Sequence, residues 1–385
     1  MVKHSSRIYL SQSALTNNIN FIRKKIGPKP IISSVVKANA YGHGIRTFVT
    51  MAEKAGVRHF SVASAWEAEE VLHSRQQDSN IMIMGILYEE DIPWAIENEI
   101  EFYVFNLDRL PITMECARKI GKKAIIHLEV ETGANRTGLQ KNEFPEALNY
   151  LKKYNAWLEF RGLCTHFGGA ESLSNRFKLD AQHKSFNEFY SICKKKKILP
   201  LHRHMACSAA IFSEPSSIYD MVRIGVLQYG FWPSPDIYYM HLQETGKAND
   251  KPLKRIVTWK TDIMDIRHVK TGEFIGYGTA FQATQDMKVA VLPLGYSNGY
   301  PRALSNQGHV LIGGKKSPIV GLINMNLFMV DISHLDEVKV GDEVVLIGRQ
   351  NKGVINVSSF TNFTQLVNNE MLSRLPAAIP RKIVR

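Results

Sequence analysis

The property of this chain that leaves the fold least freedom is a rhythm of short apolar, β-branched runs alternating with segments of helical periodicity. The runs are Pro30–Val36, His59–Ala63, Asn80–Met84, Glu101–Phe105, Lys123–Val130, Trp157–Thr165, Leu201–Cys207 and Tyr219–Arg223. Amphipathic stretches such as Ala65–Arg75 and Asn175–Lys195 separate them. Strands joined through helices pair in parallel with right-handed crossovers, so the alternation predicts a parallel sheet. Eight such units within about 220 residues match the number that closes a barrel. The expected fold class is therefore α/β, a (β/α)8 TIM-like barrel.

Beyond Gly230 the texture changes. Thr245–Lys254 is polar, carries Gly and Pro and lacks apolar periodicity, as a linker does. After it come alternating segments, Ile256–Val269, Lys288–Pro293, His309–Ile312, Ile319–Ile332 and Glu343–Gly348, separated by Gly, Asn and Pro turns. A chain of 385 residues exceeds what one core usually serves. We expect a barrel domain over residues 10–245 and a mainly β C-terminal domain over residues 246–385, which residues 1–9 join. No short internal repeat is visible.

Composition narrows the partners. A net charge of +12 suits a nucleic acid, but equally an anionic cofactor and anionic substrates. The densest basic run, Lys194–Lys197, ends a helical pattern and lacks interleaved aromatics, so it reads as a solvated helix end and no nucleic acid is expected. Four scattered cysteines without CxxC spacing argue against a zinc site or a disulfide framework, and no metal is expected. No run approaches the ~18 apolar residues of a membrane span, and Met1–Leu15 holds no stretch of signal-peptide length. The cytoplasm is the expected compartment.

A β/α barrel carries its chemistry on the loops that follow its strands. Lys37 closes the first run, where a free ammonium is costly to bury; a depressed pKa or a covalent partner relieves that cost, although snorkelling to the barrel mouth would also explain an isolated Val-Val-Lys. Arg136 lies in the Gly-rich string Thr132-Gly133-Ala134-Asn135-Arg136-Thr137-Gly138, preceded on its strand by Glu129. His166 ends the sixth run, and His204 and Ser208 stand in Arg203-His204-Met205-Ala206-Cys207-Ser208-Ala209 at the seventh. Ser208 could equally cap a helix. Arg223, Gly225 and Val226 fall in the last string, Val222–Gly230. In the second half, glycines flank Tyr277, Tyr296 follows Leu294-Gly295, and Met325 lies in Gly321–Asp331, where it could also be a core methionine.

The string Val36-Lys37-Ala38-Asn39-Ala40-Tyr41-Gly42-His43-Gly44 closely resembles the signature of alanine racemases, and the other strings resemble further segments of that family in the same order over almost the whole chain. The resemblance implies that Lys37 carries pyridoxal 5'-phosphate. Tyr41, Ser208 and the backbone of Gly225 and Val226 would then bind its phosphate, His166 would pack on the ring, and Arg223 would face the pyridine nitrogen. An arginine cannot protonate that nitrogen as an aspartate would, which leaves the ring a weaker electron sink and favours reprotonation over side reactions. Arg136 would support the phenolic oxygen and the substrate carboxylate, Met325 would touch substrate through its backbone, and His204 and Tyr296 would support the site. Lys37 and Tyr277 would be two bases on opposite faces of the substrate carbon, with the tyrosine coming from the other subunit of a homodimer. A phenol acting as a base near neutrality needs neighbouring positive charge or hydrogen bonding to stabilise its phenolate, for which His166 and Arg223 are candidates.

The departures carry information too. Glu129 stands where many members carry a carbamylated lysine, so a partly buried Glu129–Arg136 pair with charge-assisted hydrogen bonds is expected. Asn369, in Asn369-Glu370-Met371-Leu372, replaces a tyrosine of the family pocket; the smaller amide leaves room beside the substrate side chain, which would admit serine. Ser297, Asn298 and Asn326 also depart from the usual residues. The expected activity is interconversion of L- and D-alanine, with serine or a broader range as the alternative. A related decarboxylase would want a cysteine in the second domain, whereas all four cysteines precede residue 245. A non-catalytic binder of the same cofactor would resemble the barrel alone.

Overall fold

The computed structural model describes residues 3–360 and 367–385. It falls into two compact units. One comprises Ser13–Lys37 and Phe48–Arg255; the other comprises the described residues up to Gln12, then Ala38–Thr47, and the described residues from Ile256 onward.

Strand β1 (Ser6–Ser11) belongs to the second of these units. The first is built on β2 (Ile31–Val35), β3 (His59–Val62), β4 (Asn80–Ile83), β5 (Glu101–Val104), β6 (Ala124–Glu129), β7 (Leu158–Cys164), β8 (His202–His204) and β9 (Met221–Ile224). Each pairs in parallel with its neighbour, in the order β8-β7-β6-β5-β4-β3-β2-β9. The two edges meet: Asp220 N–H donates to the Arg203 carbonyl at 3.2 Å and Arg223 N–H to that of Ala206 at 3.0 Å. The expected barrel is thus present, and each strand lies inside, or within one residue of, an expected run. Helices Ala65–Ser74 and Arg176–Lys196 fall on the expected amphipathic stretches. The basic run closes the second of them, with Lys197 in a left-handed cap at φ 57°.

The polar segment after Thr245 differs from a free linker. Helix Pro235–Thr245, capped by the Ser234 hydroxyl, runs up to it. Asn18 then holds the following residues to the barrel, donating to the Lys254 carbonyl at 2.8 Å and accepting Lys254 N–H at 2.8 Å. Gly230 allows the close pass, since a Cβ there would lie 2.1 Å from the Lys254 oxygen. The division consequently falls after Arg255 rather than near 245.

The second unit contains β10 (Val257–Asp262), β11 (Asp265–Val269), β12 (Met287–Leu292), β13 (His309–Ile312), β14 (Lys315–Val320), β15 (Phe328–Asp331), β16 (Glu343–Gln350), β17 (Gly353–Ile355) and β18 (Arg381–Val384). They form a sheet ordered β11-β12-β15-β14-β13-β16-β10-β1-β18, with β17 against β16. The N-terminal strand β1 lies between β10, antiparallel, and β18, parallel. An Arg7–Asp262 fork, 3.1 and 2.7 Å, ties the first of these pairs. The alternating run Ile256–Val269 is in fact two strands. Its turn at Ile263-Met264 carries no Gly or Pro, so the periodicity passes through it unmarked.

Directly after Lys37 the chain makes a left-handed turn. Ala38, Asn39 and Ala40 have φ 53° and Tyr41 has φ 51°, a conformation that costs an L-residue about 1–2 kcal/mol each. Gly42 N–H bonds the Ala38 carbonyl at 3.0 Å and Gly44 N–H that of Asn39 at 2.8 Å, while the Asn39 side chain accepts Ile45 N–H at 3.0 Å. Gly42 is obligatory: its φ is +78°, and a Cβ would lie 1.8 Å from the Leu372 oxygen. Among the described residues, no helix is long and apolar enough to cross a membrane.

Candidate active site

Lys37 sits just past β2, whose end is held by side chains of the β9 loop. Tyr229 O–H and Gln228 Nε2–H both donate to the Val35 carbonyl, at 2.8 and 3.0 Å. The amine lies at the barrel mouth on an exposed residue, yet burial by the surrounding protein, then the positive charge of Arg136, lower its pKa below that of an ordinary lysine. A lowered amine is more often uncharged, which a base or a nucleophile requires.

Arg136 comes from the loop after β6. Glu131 folds this loop, its carboxylate accepting the N–H groups of Gly133, Ala134 (2.7 Å) and Arg136 (3.2 Å). The expected charge-assisted hydrogen bonds between Glu129 and Arg136 are not formed. The closest approach is 3.9 Å, with Arg136 60% exposed and Glu129 only 6%. Glu129 is instead a carboxyl that burial pushes up, opposed by a Thr137 hydrogen bond and by the charges of Arg136 and Arg223. A half-solvated guanidinium 3.9 Å from a recessed carboxylate gains little from pairing.

Arg223 is buried on β9 and spends its donors on the frame: the Thr165 carbonyl at 2.6 Å, the His204 carbonyl at 3.0 Å and the His204 ring. Its Nη2 lies 3.5 Å from His166 Nδ1. The His166 loop is held by Gln182, which accepts Gly168 N–H at 3.0 Å and donates to the His166 carbonyl at 3.4 Å. Burial, then the charges of Arg223, Arg136 and Lys37, push His166 down to about 3. Held that low, His166 can offer a phenol base a hydrogen bond but no positive charge, whereas Arg223 can offer both.

Ser208 does not cap a helix. The helix that follows, Ala210–Ser213, has no side-chain cap, and the Ser208 hydroxyl accepts Gly225 N–H at 2.9 Å. This leaves the hydroxyl proton free to point at an anion, beside the β9 loop that offers Gly225 and Val226.

The second unit carries the other expected residues. Tyr277 is 73% exposed on a hairpin between Gly276 (φ +78°) and Gly278 (φ +65°). Its base packs through Ile275 on Met329 in the local core. Tyr296 and Met325 lie on loops knitted together: Tyr296 N–H donates to the Asn324 carbonyl at 3.0 Å and the Ser297 hydroxyl to that of Met325 at 2.8 Å. Asn326 donates to the Ser297 hydroxyl at 2.8 Å, so two of the unusual residues bond one another. Met325 is exposed, against the core reading. Tyr41 and Asn369 are both half-buried, on segments that touch where Gly42 meets Leu372.

Within the barrel unit, then, Lys37, Arg136 and Arg223 converge on one uncharged imidazole, and the nearby carboxylate Glu129 is recessed. Three cations so placed attract a ligand with more than one negative charge, and the residues present suit pyridoxal phosphate: an amine to hold it, an imidazole face for its ring and hydroxyl and amide donors for its phosphate. Sequence reasoning overlooked Glu131, Gln182 and Gln228. Gln228 lay inside a quoted string, and Glu131 stands directly ahead of a turn; Gln182, in mid-helix, gives no local signal.

Comparison with known proteins agrees. Residues 10–233 match the alanine racemase N-terminal domain and residues 256–383 the alanine racemase C-terminal domain. An alanine racemase of Leptospira interrogans is 33% identical over 384 residues, 99% of this chain and 96% of that protein. One from Methanococcus maripaludis is 32% identical over 383 residues, 99% of each. Among solved structures, alanine racemase from Streptomyces coelicolor superposes with a TM-score of 0.88 at 27% identity, covering 99% of this chain and 98% of that one. The Bartonella henselae enzyme, with covalently bound pyridoxal phosphate, gives 0.83 at 25% identity, covering 99% and 100%. On both its domains and over nearly its full length, the chain belongs to the alanine racemase family.

Proposed function

We propose that this chain interconverts L- and D-alanine with pyridoxal 5'-phosphate held on Lys37. The observation that carries the reading is the placing of Arg223 Nη2 3.5 Å from His166 Nδ1, with Lys37 and Arg136 close enough for their charges to act on the same imidazole, in a barrel of this family. Tyr41, Ser208 and the backbone of Gly225 and Val226 would hold the cofactor's phosphate, and His166 would hold its ring. When bound, the group supplies a sink for the electrons of the substrate's Cα–H bond. Arg136 binds the substrate carboxylate, with Met325 touching substrate through its backbone and Glu129, His204, Tyr296 and Asn369 in supporting places.

With the substrate's amine taking the place of Lys37 on the group, the freed Lys37 amine would accept the proton on one face of Cα, or as ammonium return it, and the Tyr277 phenolate and phenol would do the same on the other. Arg223 would hydrogen-bond the ring nitrogen without transferring a proton to it, which would leave the bound group a weaker electron sink. The phenol comes from the other subunit of a homodimer; its 73% exposure on a single chain supports a surface that a second copy covers. The four free cysteines suit the cytoplasm. The barrel and the β-rich part form two compact units that divide after Arg255.

The test is a racemisation assay on an amino acid panel with added cofactor. L-alanine should yield D-alanine, and no turnover of any amino acid overturns the reading. Serine is the second substrate to score: its turnover tells whether Asn369 leaves a roomier pocket. Lys37→Ala should lose both activity and the visible absorption of the bound cofactor. Tyr277→Phe should keep the colour and lose mainly one direction of proton transfer.

A further inference from the structure

A TIM-type barrel is normally filled by branched aliphatic side chains. Here Ser33, His59, Ser61, Glu101, His127, His204 and Arg223 are all buried in the barrel unit, on strands β2, β3, β5, β6, β8 and β9. They form one line of hydrogen bonds. Glu101, the first residue of β5, receives His127 Nε2 at 2.8 Å and His59 Nε2 at 3.2 Å on one carboxylate oxygen, and Arg161 Nη1 at 3.2 Å on the other. His127 Nδ1 lies 2.8 Å from His204 Nε2, and His204 Nδ1 bonds Arg223 Nη1. On the other branch His59 Nδ1 lies 2.9 Å from the Ser33 hydroxyl, which bonds that of Ser61.

The site is built for this line. In the β6–β7 pairing the register slips between Ile126↔Phe160 and His127↔Gly162, so Arg161 is the extra residue of a bulge, and its side chain reaches Glu101. Opposite His127 stands Gly162, where a Cβ would lie 1.9 Å from His127 Nδ1. Any other residue there would occupy the histidine's place.

We propose that Glu101 is a positioning residue for Arg223, acting through His127 and His204 to fix which nitrogen of each ring carries its proton and so to hold the guanidinium by an acceptor-only ring nitrogen. The logic is one of donors and acceptors. An ionised carboxylate only accepts, so His127 must present Nε2–H to it and leave Nδ1 bare. The bare Nδ1 must receive Nε2–H from His204, whose own Nδ1 is then free to accept from Arg223, a group that only donates. Every link has one direction, set at Glu101 and read at Arg223. The charges agree: burial works to raise Glu101, yet the His59 and His127 rings hold it well below the usual carboxylate range. Burial and the Arg223 charge keep His204 neutral. The inference rests on the proposed function, in which Arg223 faces the cofactor's ring nitrogen.

The test has two readouts. Solid-state 15N spectra of histidine-labelled protein, assigned with His127→Asn and His204→Asn variants, should show both rings neutral with the proton on Nε2, before cofactor is added. Glu101→Gln puts a donor among three donors; it should break that single-tautomer pattern and lower kcat for L-alanine by about tenfold, the loss typical of removing an outer hydrogen-bond partner, with KM changed by less than about twofold. Glu101→Asp should recover part of both. Should Glu101→Gln fail to fold, His127→Gln cuts the same line one link nearer Arg223 and is read on kcat and on the His204 ring. A charged His204, or one protonated on Nδ1, overturns the proposal; so does a variant that melts earlier but keeps kcat and the tautomers of the uncut rings. A wild-type protein that racemises nothing overturns the function and with it this positioning role, while the spectra still judge the hydrogen-bond line itself.

Discussion

At Lys37 and Arg136 the decisive quantity is charge at short range. The Lys37 amine is lowered by burial first, by Arg136 second, and raised by Glu67. Arg136→Leu removes the like charge, so the amine should titrate at higher pH, and Glu67→Gln should move it the other way. The rate of amine-selective labelling against pH, on protein without cofactor, reads both; a curve that ignores Arg136 would separate the two groups. Glu129 gives a second case. Its carboxyl is raised by burial, so its contribution to stability is present below its ordinary value near 4.5 and lost as pH rises through the raised one. Glu129→Gln should therefore melt no earlier than wild type at about pH 8, with any gain shrinking in acid. A variant that melts clearly earlier at that pH would mean the carboxylate is a net stabiliser.

Among the elements, two short pieces of backbone carry unusual cost. The four left-handed residues after Lys37 are strained, and Ala38 is the exposed one. Ala38→Gly should relieve about 1–2 kcal/mol of strain against about 0.5–1 kcal/mol of added chain entropy, a small net gain in thermal stability. Activity should fall if the turn's stiffness holds the lysine in place, and a loss of stability would show that the turn is not strained. On β7, Gly162→Ala forces a methyl onto the His127 ring and should cost about 1–3 kcal/mol, measured by denaturant unfolding. The same change at Gly246, where a Cβ meets nothing, should cost less; its φ of +67° is then the only penalty.

Taken as an assembly, one chain leaves Tyr277, Tyr296 and Met325 exposed. With the phenol supplied by a second copy, specific activity should fall on dilution through the range where dimers dissociate and return with added protein. Mixing a Lys37→Ala chain with a Tyr277→Phe chain should restore activity at hybrid dimers, since one of their two sites then holds both intact groups. Flat activity on dilution to monomer, shown by sedimentation, would oppose a shared site.

The eight-run rhythm was legible because short, mostly apolar strands alternate with helical segments, and the Lys37 string because it closely resembles one family's signature. The texture change after Gly230 likewise announced a β-rich part. Hidden from a linear reading were contacts between residues far apart in the chain: the placement of β1 between β10 and β18, the return of Ala38–Thr47 to the β-rich unit, and the anchoring of Lys254 by Asn18. So were the loose Glu129–Arg136 pair, set by how far each group is recessed, and the line from Glu101 to Arg223. Periodicity reports which face of an element is buried. Whether a buried histidine meets a carboxylate or another ring depends on strand register and on a bulge at Arg161, which exist only once the strands are side by side.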